Sequence, residues 1–125
     1  MMYKYSFENL EVWKISKTFV IKIYNIAQKI PQTEKYGIID QLKRASVSVP
    51  TNLAEGSGRK TGKDKAYFTQ ISYGSIMECL NLLIISYDLN YISETDYNDL
   101  RKDIEIITQK LSNLRRYQLD RFKEL

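Results

Sequence analysis

The chain has 125 residues, 43% of them hydrophobic, enough for one domain with a real core and too few for two. It contains no histidine, which removes the commonest general base and the commonest metal ligand together. Its single cysteine, Cys79, excludes an internal disulfide and a thiolate metal cluster. A formal charge of +4 and a pI near 9.1 are only mildly basic, so the layout of charge bears on partners more than its sum. The opening, MMYKYSFENLEVWK, lacks an apolar run before a small-residue cleavage site, and a cytoplasmic protein is expected.

The first predicted helix covers 8–30. Val12, Ile15, Phe19, Ile23, Ile26 and Ile30 recur at three- and four-residue spacings on one face, and Glu11, Lys14, Thr18, Lys22, Asn25 and Lys29 do so on the other. Pro31 ends it. The second is predicted over 34–57, with Thr33 as N-cap, Tyr36 opening the run, and Ile38, Leu42, Ala45, Val49 and Leu53 inward. Within it, ASVSVP at 45–50 also suits a short strand, but the helical spacing runs through it and a lone strand has no partner. Pro50 lacks a backbone donor and is expected to kink the helix.

Gly56, Gly58 and Gly62 mark a loop, after which Asp64 is the expected cap of a third helix over 64–90. From Ala66 to Tyr87 the only charge is Glu78, so this helix has no obvious solvent face and a subunit interface is expected to cover it. The same stretch carries Gln70, Asn81 and several serines, a costly load at a bilayer centre, so no membrane partner is expected. Ser93 and Asp96 form a capping-box-like start to a fourth helix over 94–118. In it Tyr97, Leu100, Ile104, Ile107, Leu111 and Leu114 make a packing seam. Four long helices with short connections predict an all-α, antiparallel up-and-down four-helix bundle.

The loop GSGRKTGKD is not a phosphate cradle. Ser57 and Asp64 stand where a P-loop needs Gly and Ser or Thr, and Thr61 stands where a dinucleotide fingerprint needs its third glycine. Asp96, Asp99 and Asp103 share a helix face, as a divalent-cation site would require. Carboxylates near a helix N-terminus are favoured by the macrodipole alone, and one face supplies too few oxygens. The ten tyrosines, Tyr24, Tyr67, Tyr73, Tyr87 and Tyr97 among them, suit base stacking, but at helical spacing they read first as core and interface filler. Asn52, Glu55, Ser75 and Glu78 fall on helix surfaces that otherwise read as inner. With Arg44 or Arg59 they are expected to form a satisfied polar network that fixes register; a catalytic carboxylate pair is the sharper reading, without a nucleophile, base or metal beside it.

The run EKYGIIDQLKRASVSVPTNLAEGSGR, Glu34 to Arg59, resembles the four-helix bundle proteins known as 23S ribosomal RNA intervening-sequence proteins. The motif residues are Arg44, Ala45, Val47, Ser48, Val49, Pro50, Asn52, Ala54, Glu55, Gly56, Gly58 and Arg59. Leu10, Val12, Trp13, Tyr36, Gly37, Gln41, Leu42, Phe68, Gly74, Ser75 and Glu78 add to the resemblance, which fades beyond about Leu114. It implies an up-and-down bundle assembling as a homopentamer. A similar protein, the accessory variability protein of diversity-generating retroelements, is a basic pentameric barrel that works with a reverse transcriptase and nucleic acid. Leu80 and Leu82 stand where the family often has polar residues, which favours tighter self-association over a polar pore there.

Up-and-down topology gathers Arg59, Lys60, Lys63 and Lys65 near Arg115, Arg116, Arg121 and Lys123, with Asp88, Glu94, Asp96 and Asp99 at the far end, partly balanced by Lys29 and Lys35. The expected function is a non-enzymatic oligomer, without cofactor or metal, that binds RNA, another nucleic acid or a ribonucleoprotein through this basic end. A protein-only assembly or scaffold module is the alternative. An RNA-processing enzyme comes last, for want of histidine and of a metal cluster.

Overall fold

A computed structural model describes residues 1–121. Its helices are α1 (Glu11–Ala27), α2 (Ile38–Ser57), α3 (Gly62–Asp88) and α4 (Glu94–Arg121), with short 3-10 turns at Ser6–Asn9 and Gln32–Glu34. Side-chain pairings set the directions. Ser48 meets Ser75 while the next residue, Val49, accepts from Ser72, so α2 and α3 are antiparallel. Glu11 pairs with Lys110 and Lys29 with Asp96, so α1 and α4 are antiparallel too. Among the described residues each helix lies against its two neighbours in the order α1, α2, α3, α4 and back to α1, with no diagonal approach. The bundle is square and up-and-down, as the connection lengths predict.

The helix ends differ from the sequence reading in instructive ways. Thr33 does not cap α2: Glu34 N–H closes a 3-10 turn on Pro31 O at 2.9 Å, and Gly37 takes the cap position without a side-chain bond. Asp64 does not cap α3 either. Thr61 does, its Oγ1 accepting from Asp64 N–H at 3.1 Å, which leaves the Asp64 carboxylate in the first turn, where the helix dipole favours it. Ser93 caps α4 as expected, accepting from Asp96 N–H at 3.1 Å. α3 ends on a Schellman motif: Asn90 adopts φ 62°, Asn90 N–H reaches Tyr87 O, and Tyr91 N–H reaches Ser86 O, each at 2.9 Å. ASVSVP is helical throughout, and α2 runs unbroken past Pro50.

The predicted apolar faces meet in one core. Phe19 and Ile23 of α1, Leu42 and Val49 of α2, Ile76 and Leu83 of α3, and Leu100, Ile107 and Leu111 of α4 are all buried to within a percent or so. α3 does have an outer face. Lys63, Tyr67, Gln70, Gly74, Glu78, Asn81 and Asp88 follow the helical repeat and are exposed; with Glu78 the only charge between the ends the stripe was hidden, because Gln and Asn are polar without being ionic. α3 is also long and apolar enough to pass for a membrane span, yet it gives Ile76, Cys79, Leu82 and Leu83 to the core.

Two glycines predict opposite outcomes. A Cβ on Gly56 would fall 2.9 Å from Phe68 Cβ and 3.4 Å from Lys65 O, where α2 crosses the start of α3. Gly56→Ala should therefore lower stability by about 1 to 3 kcal/mol despite the better helix former. A Cβ on Gly74 meets nothing, so Gly74→Ala should raise stability by about 0.5 to 1 kcal/mol. Urea denaturation midpoints check both, and shifts of the same sign would contradict the packing. Ser16, fully buried on α1, carries the one buried side-chain polar atom without a partner among the described residues. Ser16→Ala should raise stability by about 1 kcal/mol, since an unsatisfied hydroxyl only costs desolvation.

Candidate nucleic-acid interface

The α2–α3 connection and the last turns of α4 lie at one end of the bundle. A buried hydrogen bond from Thr69 Oγ1 to Gln118 Oε1, 2.7 Å, ties the start of α3 to the end of α4. The predicted cations divide by what they already touch. Lys65 donates to Ser57 O at 3.2 Å, closing the C-terminus of α2. Arg59 lies 4.6 Å over the Phe68 ring and 4.0 Å from Glu55, an exposed pair that adds little stability. Arg116 donates to Asn113 Oδ1 at 3.2 Å, and Arg121 ends α4 exposed. Lys60, Lys63 and Arg115 are exposed and, among the described residues, make no ion pair. Lys123 lies outside the described residues.

The opposite end is acidic in sequence and partly neutralised in space. Lys22 bridges Asp99 at 3.1 Å and Asp103 at 2.8 Å, and Lys29 holds Asp96 at 2.8 Å. Asp96 is accordingly held below 3.8, first by the Lys29 hydrogen bond, and the Asp103 bond leads in holding Lys22 above 10.5. The three aspartates weighed as a cation site are thus engaged by lysines of α1, and no group of three metal-binding side chains converges among the described residues. Lys22 was legible only as one position in the polar stripe of α1. Lys35, expected to balance this end, sits 5.5 Å over the Tyr36 ring.

The polar network is smaller than expected and has a different centre. Ser48 Oγ lies 2.7 Å from Ser75 Oγ and accepts from Asn52 Nδ2 at 2.9 Å, while Ser72 donates to Val49 O at 2.8 Å. Ser48 joins Asn52 to Ser75. Arg44 is instead turned outward onto Asp40 at 3.0 Å, Glu55 faces Arg59, and Glu78 is exposed, so these three stand apart from it. Cys79 is buried, and desolvation, with Glu78 adding to it, pushes its thiol up to about 12, far from a thiolate nucleophile.

Grooves run between neighbouring helices of the bundle. Between α1 and α2, Phe7, Trp13, Val20, Ile21, Val47 and Pro50 line an apolar hollow of about 460 Å³, with Ile21 57% and Val47 39% exposed. Between α3 and α4 the lining is more polar. At the basic end, Gln70, Tyr73, Ser112, Arg115, Arg116 and Asp120 enclose a cleft of about 330 Å³. Most other tyrosines are already engaged: Tyr87 and Tyr97 stack on each other 4.4 Å apart, Tyr67 packs edge-on to Phe68, and Tyr24 lies under Lys43.

These features define an all-α, up-and-down bundle with a cationic end, a partly neutralised acidic end and no assembled catalytic group among the described residues. The profile of the 23S rRNA-intervening sequence protein family matches residues 8–113, and the chain belongs to that family. No curated protein matches the chain. Among solved structures, it is similar to a protein of unknown function from the S23 ribosomal protein family of Bacteroides thetaiotaomicron. The two are 18% identical with a TM-score of 0.63, over 90% of this chain and 99% of that one. At that identity the likeness speaks to the fold.

Proposed function

We propose that this protein is a self-associating, non-enzymatic bundle of the cytoplasm that binds RNA through its basic end, without a cofactor and away from membranes. The observation that carries the reading is the asymmetry of charge pairing. Among the described residues Lys60, Lys63 and Arg115 project from one end without carboxylate partners, whereas Asp96, Asp99 and Asp103 toward the other end are held by Lys22 and Lys29. Unpaired cations on a rigid end are free to release counterions from a polyanion. The family's name ties it to an intervening sequence of 23S rRNA, which supports RNA as that polyanion. Cations at helix C-termini also complement the macrodipole, but this does not account for Lys60 or for Lys63 at a helix N-terminus, where the dipole opposes positive charge.

Self-association rests on the apolar groove of α1 and α2, and on the exposed Tyr67 and Ile85 of α3, an outer face with no cation between Lys65 and Arg101. The same groove is what favours the second reading, a protein-only assembly module. Fluorescence anisotropy with unrelated labelled RNAs separates the two. The RNA-binding reading expects measurable binding at low salt that weakens steeply as salt rises. No binding at low salt, together with an oligomer in sedimentation at micromolar concentration, would leave assembly as the function; a monomer there would remove the self-association.

A further inference from the structure

We propose that the basic-end half of the α3–α4 groove is a single-stranded nucleic-acid site, in which a base stacks on Tyr73 while its phosphates lie against Arg115 and Arg116. This deepens the RNA-binding reading and rests on it. The cleft's volume of about 330 Å³ suits one nucleotide-sized occupant, at the lower end of the usual range for ligand sites. Tyr73 and Ser112 also line the adjoining hollow of about 390 Å³, with Gln109 and Asn113, so the ring stands where two clefts of one continuous groove meet.

Four observations favour a base there rather than a bare anion. The Tyr73 ring is half-buried against the core, which fixes it, yet no other ring packs on it and its hydroxyl has no partner among the described residues. Gln70, Gln109 and Asn113 offer amide donors and acceptors, the complement of base edges. Arg115 and Arg116 follow on the same helix as Asn113, and Asn113 already orients Arg116 at 3.2 Å. Asp120 in the wall accepts from a base N–H, such as the imino N–H of uracil, a donor that a bare anion does not offer. A duplex is disfavoured, because A-form RNA keeps its bases stacked within the helix and offers no ring to Tyr73. Among the described residues at this end, Arg59 lies over Phe68, and Trp13 carries Lys17 and the edge-on Phe7 ring.

The test compares a labelled single-stranded oligouridylate with a labelled RNA duplex of mixed sequence, by anisotropy at low salt. The parent should prefer the single strand. Tyr73→Leu, which keeps apolar volume without a π face, should weaken single-strand binding by about five- to a hundredfold and shrink the preference over duplex by the same factor. Tyr73→Phe should bind the single strand like the parent, which separates loss of stacking from loss of packing. Circular-dichroism melting of both variants controls for the fold. Equal affinity of the parent for single strand and duplex, or a Tyr73→Leu variant that binds like the parent, overturns the site and leaves the RNA-binding reading standing. No binding of either RNA by the parent overturns both.

Discussion

Leu111→Ala should destabilise the bundle by about 2 to 5 kcal/mol, the cost of removing buried methyl groups from a site that cannot fully collapse. Leu111 is completely buried on the inward side of α4, level with Tyr73 of α3, in the seam that runs from Leu100 through Ile104 and Ile107. Domains of this size are usually stable by only 5 to 15 kcal/mol, so the loss should be plain in the urea midpoint with the denaturant slope unchanged. A change within about half a kcal/mol would mean that α4 packs in another phase.

Replacing Lys60, Lys63, Arg115 and Arg116 with Ala should weaken binding to unrelated RNAs together and flatten the dependence of log affinity on log salt. Each phosphate contact on a single strand contributes about 0.7 to that slope, so four lost contacts would make it shallower by up to about 3. All four side chains are exposed and none contributes to the core, so the thermal melt should stay near the parent's. Lys65 and Arg59 are deliberately spared. The first bonds the last turn of α2 and the second covers Phe68, and their loss would mix structural with electrostatic effects. An unchanged affinity and slope would move RNA, if bound at all, to another surface.

The inner faces were legible because apolar side chains recur at helical spacing: Phe19 and Ile23, Leu42 and Val49, and the α4 seam are all buried. The caps were harder to read. Thr61 and Asp64 are both good capping residues three apart, and only the backbone turn decides that threonine accepts while aspartate follows. Asn52 and Ser75 belong to the polar network as expected, but charge drew attention to Glu55, Glu78 and Arg44, whereas the small serine hydroxyls at 48 and 72 fit between helices at far lower desolvation cost. The balance of the acidic end turned on Lys22, which sequence offers only as one of many polar positions and topology alone sets across from Asp99 and Asp103. Tyr73 was one tyrosine among ten until its neighbours showed which rings were already engaged.

The most direct test of the central claim is to crosslink the protein to RNA in its own cell with ultraviolet light and map the modified peptides along the chain. The account predicts adducts concentrated in the segments containing Arg59 to Lys65 and Tyr73, and in the last turns of α4 around Arg115 and Arg116. Adducts confined to the Asp88 to Asp103 end, or protein recovered at high yield with no RNA attached, would contradict it.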